Sequence, residues 1–171
     1  MFSDAALLGR LDGTGGLSVA RGDVTGDGTA DLVVGGGPGG GPAVRVYDGN
    51  TFGEVARFDA YEPGFTGGVR VAVGDVTGDG VADVVTGAGP GGGPHVKVFD
   101  VQGGTQTQDF FAYDPSFRGG VAVAVADVTG DGRADIVTAG GPGGGPHVKV
   151  FDGVSGGGQT GLTPDAGWFV F

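Results

Sequence analysis

The chain has 171 residues, the length of about one domain, with 43 glycines, 9 prolines and no cysteine. Twenty Asp and Glu face nine Lys and Arg, for a net charge of −11. The missing cysteine excludes disulfides and thiolate metal sites; the acidic balance argues against nucleic acid and anionic membrane as partners, since both need a basic face.

Glycine and proline at this level without periodicity would read as disorder. Here the glycines return at fixed offsets with Val, Ile and Phe between them, which predicts an ordered, turn-rich, all-β chain. The opening "MFSDAALLGRL" lacks the basic stretch and long apolar core of a secretory signal. If the protein is exported, its signal stood upstream or has been removed. No apolar run is long enough to insert in a membrane, which takes roughly 18 residues.

Residues 1–14 are expected to form a closing or edge segment. From Thr14, "TGGLSVARGD" predicts a first strand, and the loop "DVTGDGTAD" follows at Asp23. Next come a short apolar run, the glycine turn "GPGGGP" at Gly37, the alternating "AVRVYD" at Ala43 and an aromatic segment, "FDAYEPGF", at Phe58. The series then begins again. "DVTGDGVAD" starts at Asp75 and "DVTGDGRAD" at Asp127, each 52 residues after the last. "GPGGGPHVKVFD" is identical at Gly89 and Gly141. In the second unit Val69, Val71 and Val73 alternate, as do Val96 and Val98, a period of two that predicts strands. No segment carries a sustained 3.6-residue pattern, so helices are not expected.

Four short antiparallel strands in ~40–50 residues is the size of a propeller blade. The sequence therefore predicts an all-β fold of three four-stranded β-propeller repeats. Approximate blades are 15–66, 67–118 and 119–171. Propellers typically close with ~4–8 blades. Three blades thus point either to a homo-oligomer, with a six-bladed dimer favoured, or to part of a longer propeller.

In the nine-residue loop, positions 1, 5 and 9 are carboxylates: Asp23, Asp27 and Asp31; Asp75, Asp79 and Asp83; Asp127, Asp131 and Asp135. Three carboxylates so close repel one another unless a cation lies among them. Ca²⁺ takes ~6–8 hard oxygen ligands, whereas Mg²⁺ keeps several waters and few protein ligands. Thr25, Thr77 and Thr129 at position 3 offer hydroxyls, and position 7 (Thr29, Val81, Arg133) offers a backbone carbonyl. The expectation is about three Ca²⁺ per chain. An EF-hand is excluded, because it needs a bidentate Glu at position 12, and Val34, Thr86 and Thr138 stand there inside apolar runs. The same residues would also suit plain Asp-Gly turns; repetition three times in register favours the cation.

"DVTGDGxAD" followed by an apolar run and "GPGGGP" resembles the FG-GAP repeat, found in the β-propeller of integrin α chains and in related VCBS repeats. The usual family loop is D-x-[DN]-x-D-G-x-x-D. The resemblance covers nearly the whole chain and implies a calcium-stapled, usually extracellular propeller used in adhesion or ligand binding. It also implies the three Asp sets above as ligands. The chain departs from the family at position 3, where Thr replaces Asp or Asn and weakens the donor, and at "GPGGGP", which replaces a Gly-Ala-Pro-like turn.

Other motifs carry blander readings. "GPGGGP" is read as a tight turn and not an anion nest, since neither the Lys of a P-loop nor a helix follows. His95 and His147 are read as strand histidines. Tyr61 and Tyr113 suit either a sugar- or protein-binding loop or a hydrophobic plug. "GWFVF" at Gly167 is read as a closing or edge strand. The functional expectation is an extracellular calcium-binding module for adhesion or ligand binding, with protein or carbohydrate as ligand. The alternative is a self-assembling structural fragment, natural or designed. A propeller hydrolase or lyase is disfavoured, because catalysis needs a unique set of groups and this chain is nearly periodic.

Overall fold

The computed structural model describes residues 15–153 and the strand at 164–169. The expected closing segment at 1–14 and the last two residues of "GWFVF" lie outside the described residues. No helix occurs among the described residues, and hence none long and apolar enough to cross a membrane.

Among the described residues twelve strands form three sheets. The first holds β1 (Leu17–Gly22), β2 (Asp31–Gly36), β3 (Ala43–Tyr47) and β4 (Glu54–Asp59), in that order. The second holds β5 (Val69–Gly74), β6 (Asp83–Ala88), β7 (His95–Asp100) and β8 (Thr105–Phe111). The third holds β9 (Val121–Ala126), β10 (Asp135–Gly140), β11 (His147–Phe151) and β12 (Pro164–Phe169). Every pairing is antiparallel and joins strands adjacent in sequence. These are the predicted blades, stacked face to face; the described residues do not close a ring.

The stacking follows from side-chain alternation. In β6 all six residues are buried, because successive side chains enter different cores. Val84 joins Val33, Val44 and Val46 of the first sheet. Val85 joins Val121, Ile136 and Phe151 of the third. The strands β1, β5 and β9 run side by side as the inner edges of the stack.

Antiparallel order sends the connections to opposite ends. The nine-residue loops and the β3–β4 turns gather at one end. The "GPGGGP" turns and the β4–β5 connections gather at the other, where Gly39 N–H donates to the Thr66 carbonyl (2.8 Å). The glycine at the head of that motif is a packing requirement. A Cβ on Gly89 would lie 1.9 Å from the Gly67 carbonyl oxygen, and one on Gly141 1.9 Å from that of Gly119.

Tyr61 and Tyr113 take the plug role. Each hydroxyl donates to a carbonyl of the next blade, His95 for Tyr61 and His147 for Tyr113, both at 2.9 Å. Burial raises both phenols above the ordinary tyrosine pKa.

Core truncation should register strongly. Phe151 is 1% exposed and its ring lies 4.7 Å from that of Phe110. Phe151→Ala should cost about 3–5 kcal/mol in urea unfolding. Val55→Ala, at a half-exposed position of β4, should stay within about 0.5 kcal/mol.

Candidate metal loops

Aspartate is short enough for its carboxylate to reach N–H groups two to five residues along the chain, and position 1 does so in every loop. Asp23 Oδ1 accepts from Gly26 and Asp27 N–H (2.7 and 3.1 Å), and Oδ2 from Gly28 N–H (2.8 Å). Asp75 repeats all three bonds and Asp127 the first and third. The position-5 carboxylates Asp27, Asp79 and Asp131 each accept from the N–H of position 7: Thr29, Val81 and Arg133. Glycine at position 6 makes the turn, with φ of +85°, +89° and +91° at Gly28, Gly80 and Gly132. That region strains any residue with a Cβ.

Position 9 opens the second strand of each blade and is deeply buried: Asp31 is 0%, Asp83 2% and Asp135 0% exposed. One oxygen takes the N–H groups of positions 2 and 3, at 3.0 and 3.1 Å for Val24 and Thr25. Val76 and Thr77 do the same for Asp83, and Val128 and Thr129 for Asp135. The other oxygen reaches across to the β3–β4 turn or its equivalent. Gly49 N–H donates to Asp31 Oδ1 (2.9 Å) and Gly153 N–H to Asp135 Oδ1 (3.4 Å). This approach requires glycine, because a Cβ on Gly49 would lie 2.3 Å from the Ala30 carbonyl oxygen. The second blade has Val101 at that place. Among the described residues Asp83 receives only two N–H bonds, and burial pushes its carboxyl up to about 6.

The donor types fit a hard cation: carboxylates, hydroxyls and carbonyls alone. The Thr25 hydroxyl oxygen is buried without a hydrogen-bond partner, whereas the Thr77 hydroxyl acts on the Asp83 carboxylate and Thr129 Oγ1 lies 3.5 Å from Asp135 Oδ1. The spacing differs from the sequence expectation. Among the described residues no three His, Asp or Glu side chains converge closely enough to hold a metal ion. The physical reason is the N–H bonding above, which turns positions 1, 5 and 9 toward the loop's own backbone.

The three loops are not equivalent at position 5. In the first, Asn50 Nδ2 donates to Asp27 Oδ2 (3.0 Å). In the third, the Arg133 guanidinium lies 3.4 Å from Asp131 Oδ2. In the second, no side chain donates to Asp79 among the described residues.

Sequence reasoning missed Gly49, Gly153 and Asn50, which read as ordinary turn residues. It also missed a link between loops. The Ala82 N–H donates to the Asp23 carbonyl (3.0 Å), and the Ala134 N–H to the Asp75 carbonyl (3.1 Å).

Elsewhere, His95 pairs with Asp109, stacks on Phe111 (4.5 Å) and lies beside Tyr61. Burial raises the Asp109 carboxyl, but the His95 hydrogen bond and the His95 and Lys97 charges outweigh it and hold the carboxyl below its usual range. At the glycine–proline end a cleft of about 330 Å³ opens between β1 and β5, lined by Leu17, Ser18, Pro38, Arg70, Pro90 and Val123 among others.

Residues 23–86 match the family model of the FG-GAP-like repeat, and residues 67–106 that of the FG-GAP repeat. No curated protein matches the chain.

Asp31→Ala strands its N–H donors, and each buried unsatisfied group costs about 1–3 kcal/mol. It should therefore destabilise the protein by at least about 2 kcal/mol in urea, while Asp27→Ala at the exposed position 5 should cost under about 1 kcal/mol. The Asp83 shift also sets a pH slope. Its folded pKa lies above the unfolded value, so folding takes up a proton between about pH 4 and 6. In chelator, the contribution of Asp83 to stability should be greatest below pH 4 and fall as pH rises through 6. Urea midpoints at several pH values should lose this component in Asp83→Asn.

Proposed function

Since residues 23–106 are FG-GAP-like repeats, we propose that the chain is a propeller-type binding module, extracellular and non-catalytic, in which each nine-residue loop holds one Ca²⁺. FG-GAP repeats are typical of extracellular proteins and are in general not enzymes, which supports the location and the absence of catalysis.

One observation carries the calcium reading. The Thr25 hydroxyl oxygen is buried and unpartnered inside a loop that otherwise consists of carboxylates and turned backbone. A buried polar atom without a partner costs about 1–3 kcal/mol, and a hard cation removes that cost. The holding residues would be the Asp at positions 1, 5 and 9, which would have to turn from the N–H groups they accept from here, the Thr at 3 and the carbonyls of Thr29, Val81 and Arg133. A bound Ca²⁺ offsets carboxylate charge and ties each loop to the strand it precedes. Its role is structural.

Ligand recognition then belongs to the opposite end of the blades, where the cleft beside Arg70 and the glycine–proline turns face solvent. Such a surface suits a protein or carbohydrate ligand, and the proposed role is adhesion.

Calorimetric titration of the chelator-stripped protein tests the calcium reading. The expected result is about three Ca²⁺ per chain with Kd near ~10⁻⁴–10⁻³ M, the range of extracellular modules, and weaker uptake of Mg²⁺. The second loop should bind tightest, because among the described residues no side chain competes for Asp79, which accepts only the Val81 N–H that position 7 supplies in every loop, and Asp79→Ala should remove that site. Arg133→Ala should strengthen the third. Absence of heat at millimolar Ca²⁺ would sink the reading and leave the loops as turns.

A further inference from the structure

Residues at equivalent positions meet different surroundings, and the difference falls at the two ends of the stack. Val69 and Val71 of β5 are 2% and 7% exposed. Leu17 and Val19 hold the same places in β1 and are 49% and 61% exposed. On the opposite face, Ala72 of β5 is buried, whereas its equivalent in β9, Ala124, is exposed. Among the described residues the stack therefore ends in a bare face of β1 and a bare face of β9. These are the two halves of a joint the chain makes twice, β1 against β5 and β5 against β9.

The backbone tells the same story. Each internal joint carries a bond from the alanine at loop position 8 to the preceding loop's first carbonyl, Ala82 to Asp23 and Ala134 to Asp75. Among the described residues the equivalent Ala30 N–H and Asp127 carbonyl find no such partner.

We propose that β1 of one copy of this chain docks on β9 of a second copy, and reciprocally, so that two chains close a six-bladed ring. Closed propellers hold ~4–8 blades, and six is the only multiple of three in that range. The joint is head-to-tail, made twice and related by a two-fold axis. Its occupant is fixed by repetition: the surface that fits Leu17 and Val19 is the one that already covers Val69 and Val71. The closing joint differs from the internal ones in several places: Arg21 stands where Val73 and Val125 pack, Ala126 stands where Gly22 and Gly74 meet those valines, and a further difference lies in β10. A Cβ on Gly35 would lie 2.5 Å from the Val69 carbonyl oxygen, and one on Gly87 2.6 Å from that of Val121. Ala139 holds this position in β10, so the closing joint stands wider there. The proposal does not depend on calcium.

Size-exclusion chromatography with light scattering on the whole chain at micromolar concentration should give twice the 16.6 kDa chain mass. Val19→Asp and Ala124→Arg should each give the single-chain mass with an unchanged far-ultraviolet spectrum, since both residues are exposed in one copy. Mixed in equal amounts, the two variants should return to the dimeric mass: one joint is then unmodified and the other sets Asp against Arg. Should either variant fail to fold, Ala139→Gly serves instead and should lower the concentration at which the dimer dissociates. A single-chain mass for the unmodified protein, a mass above two chains, a dimer that survives both charge variants, or an Ala139→Gly protein no tighter than the unmodified one would each overturn the proposal.

Discussion

A four-stranded sheet has two faces, and in the middle blade of this protein both are apolar. Such a sheet cannot bury itself; it must be sandwiched. Val84 and Val85 are neighbours in sequence but belong to different cores, and from that the rest of the architecture descends. The inner strands come close enough that glycine is needed where one blade's strand meets the next blade's carbonyl. The tyrosines after β4 and β8 reach forward to cap the following sheet. Among the described residues the outer faces of β1 and β9 are left exposed.

Burying strands on both faces creates a second requirement at their ends. A strand that enters the core abruptly leaves N–H groups of the preceding loop without water. The position-9 carboxylates meet this need by collecting two or three N–H groups each, at the cost of burying a charge. The middle blade shows how finely the balance is set. With Val101 in place of glycine, Asp83 lacks the third N–H bond among the described residues, and it is the carboxyl that burial lifts to about 6. The acidic loops thus have a structural task in the chain itself, which a cation would reinforce and not replace.

Much of this was legible in the sequence. The 52-residue period fixed the number of blades, and alternation at Val69, Val71 and Val73 identified a strand. Asp-Gly at positions 5 and 6 identified the turn. The direction in which each carboxylate points was not legible, because an aspartate that caps backbone N–H groups and one that ligates a cation occur in the same pattern. Nor was the link between Gly49 and Asp31. It spans 18 residues and depends on how closely the β3–β4 turn approaches Ala30, a distance that composition does not encode. The His95–Asp109 pair was likewise hidden, since the β7–β8 register shifts at Val98 and Phe99 and no local pattern announces a bulge.

The uniform burial of β6 has a dynamic consequence. In a linear stack, stability is roughly a sum of each unit's own stability and its contacts with neighbours. The middle sheet has two neighbours and the outer sheets one each among the described residues. Opening therefore starts at the ends, with β1 and the third sheet exchanging their amide protons first and β6 last. Joining the ends would abolish the gradient: every blade would then have two neighbours, and the molecule would open as a whole or not at all.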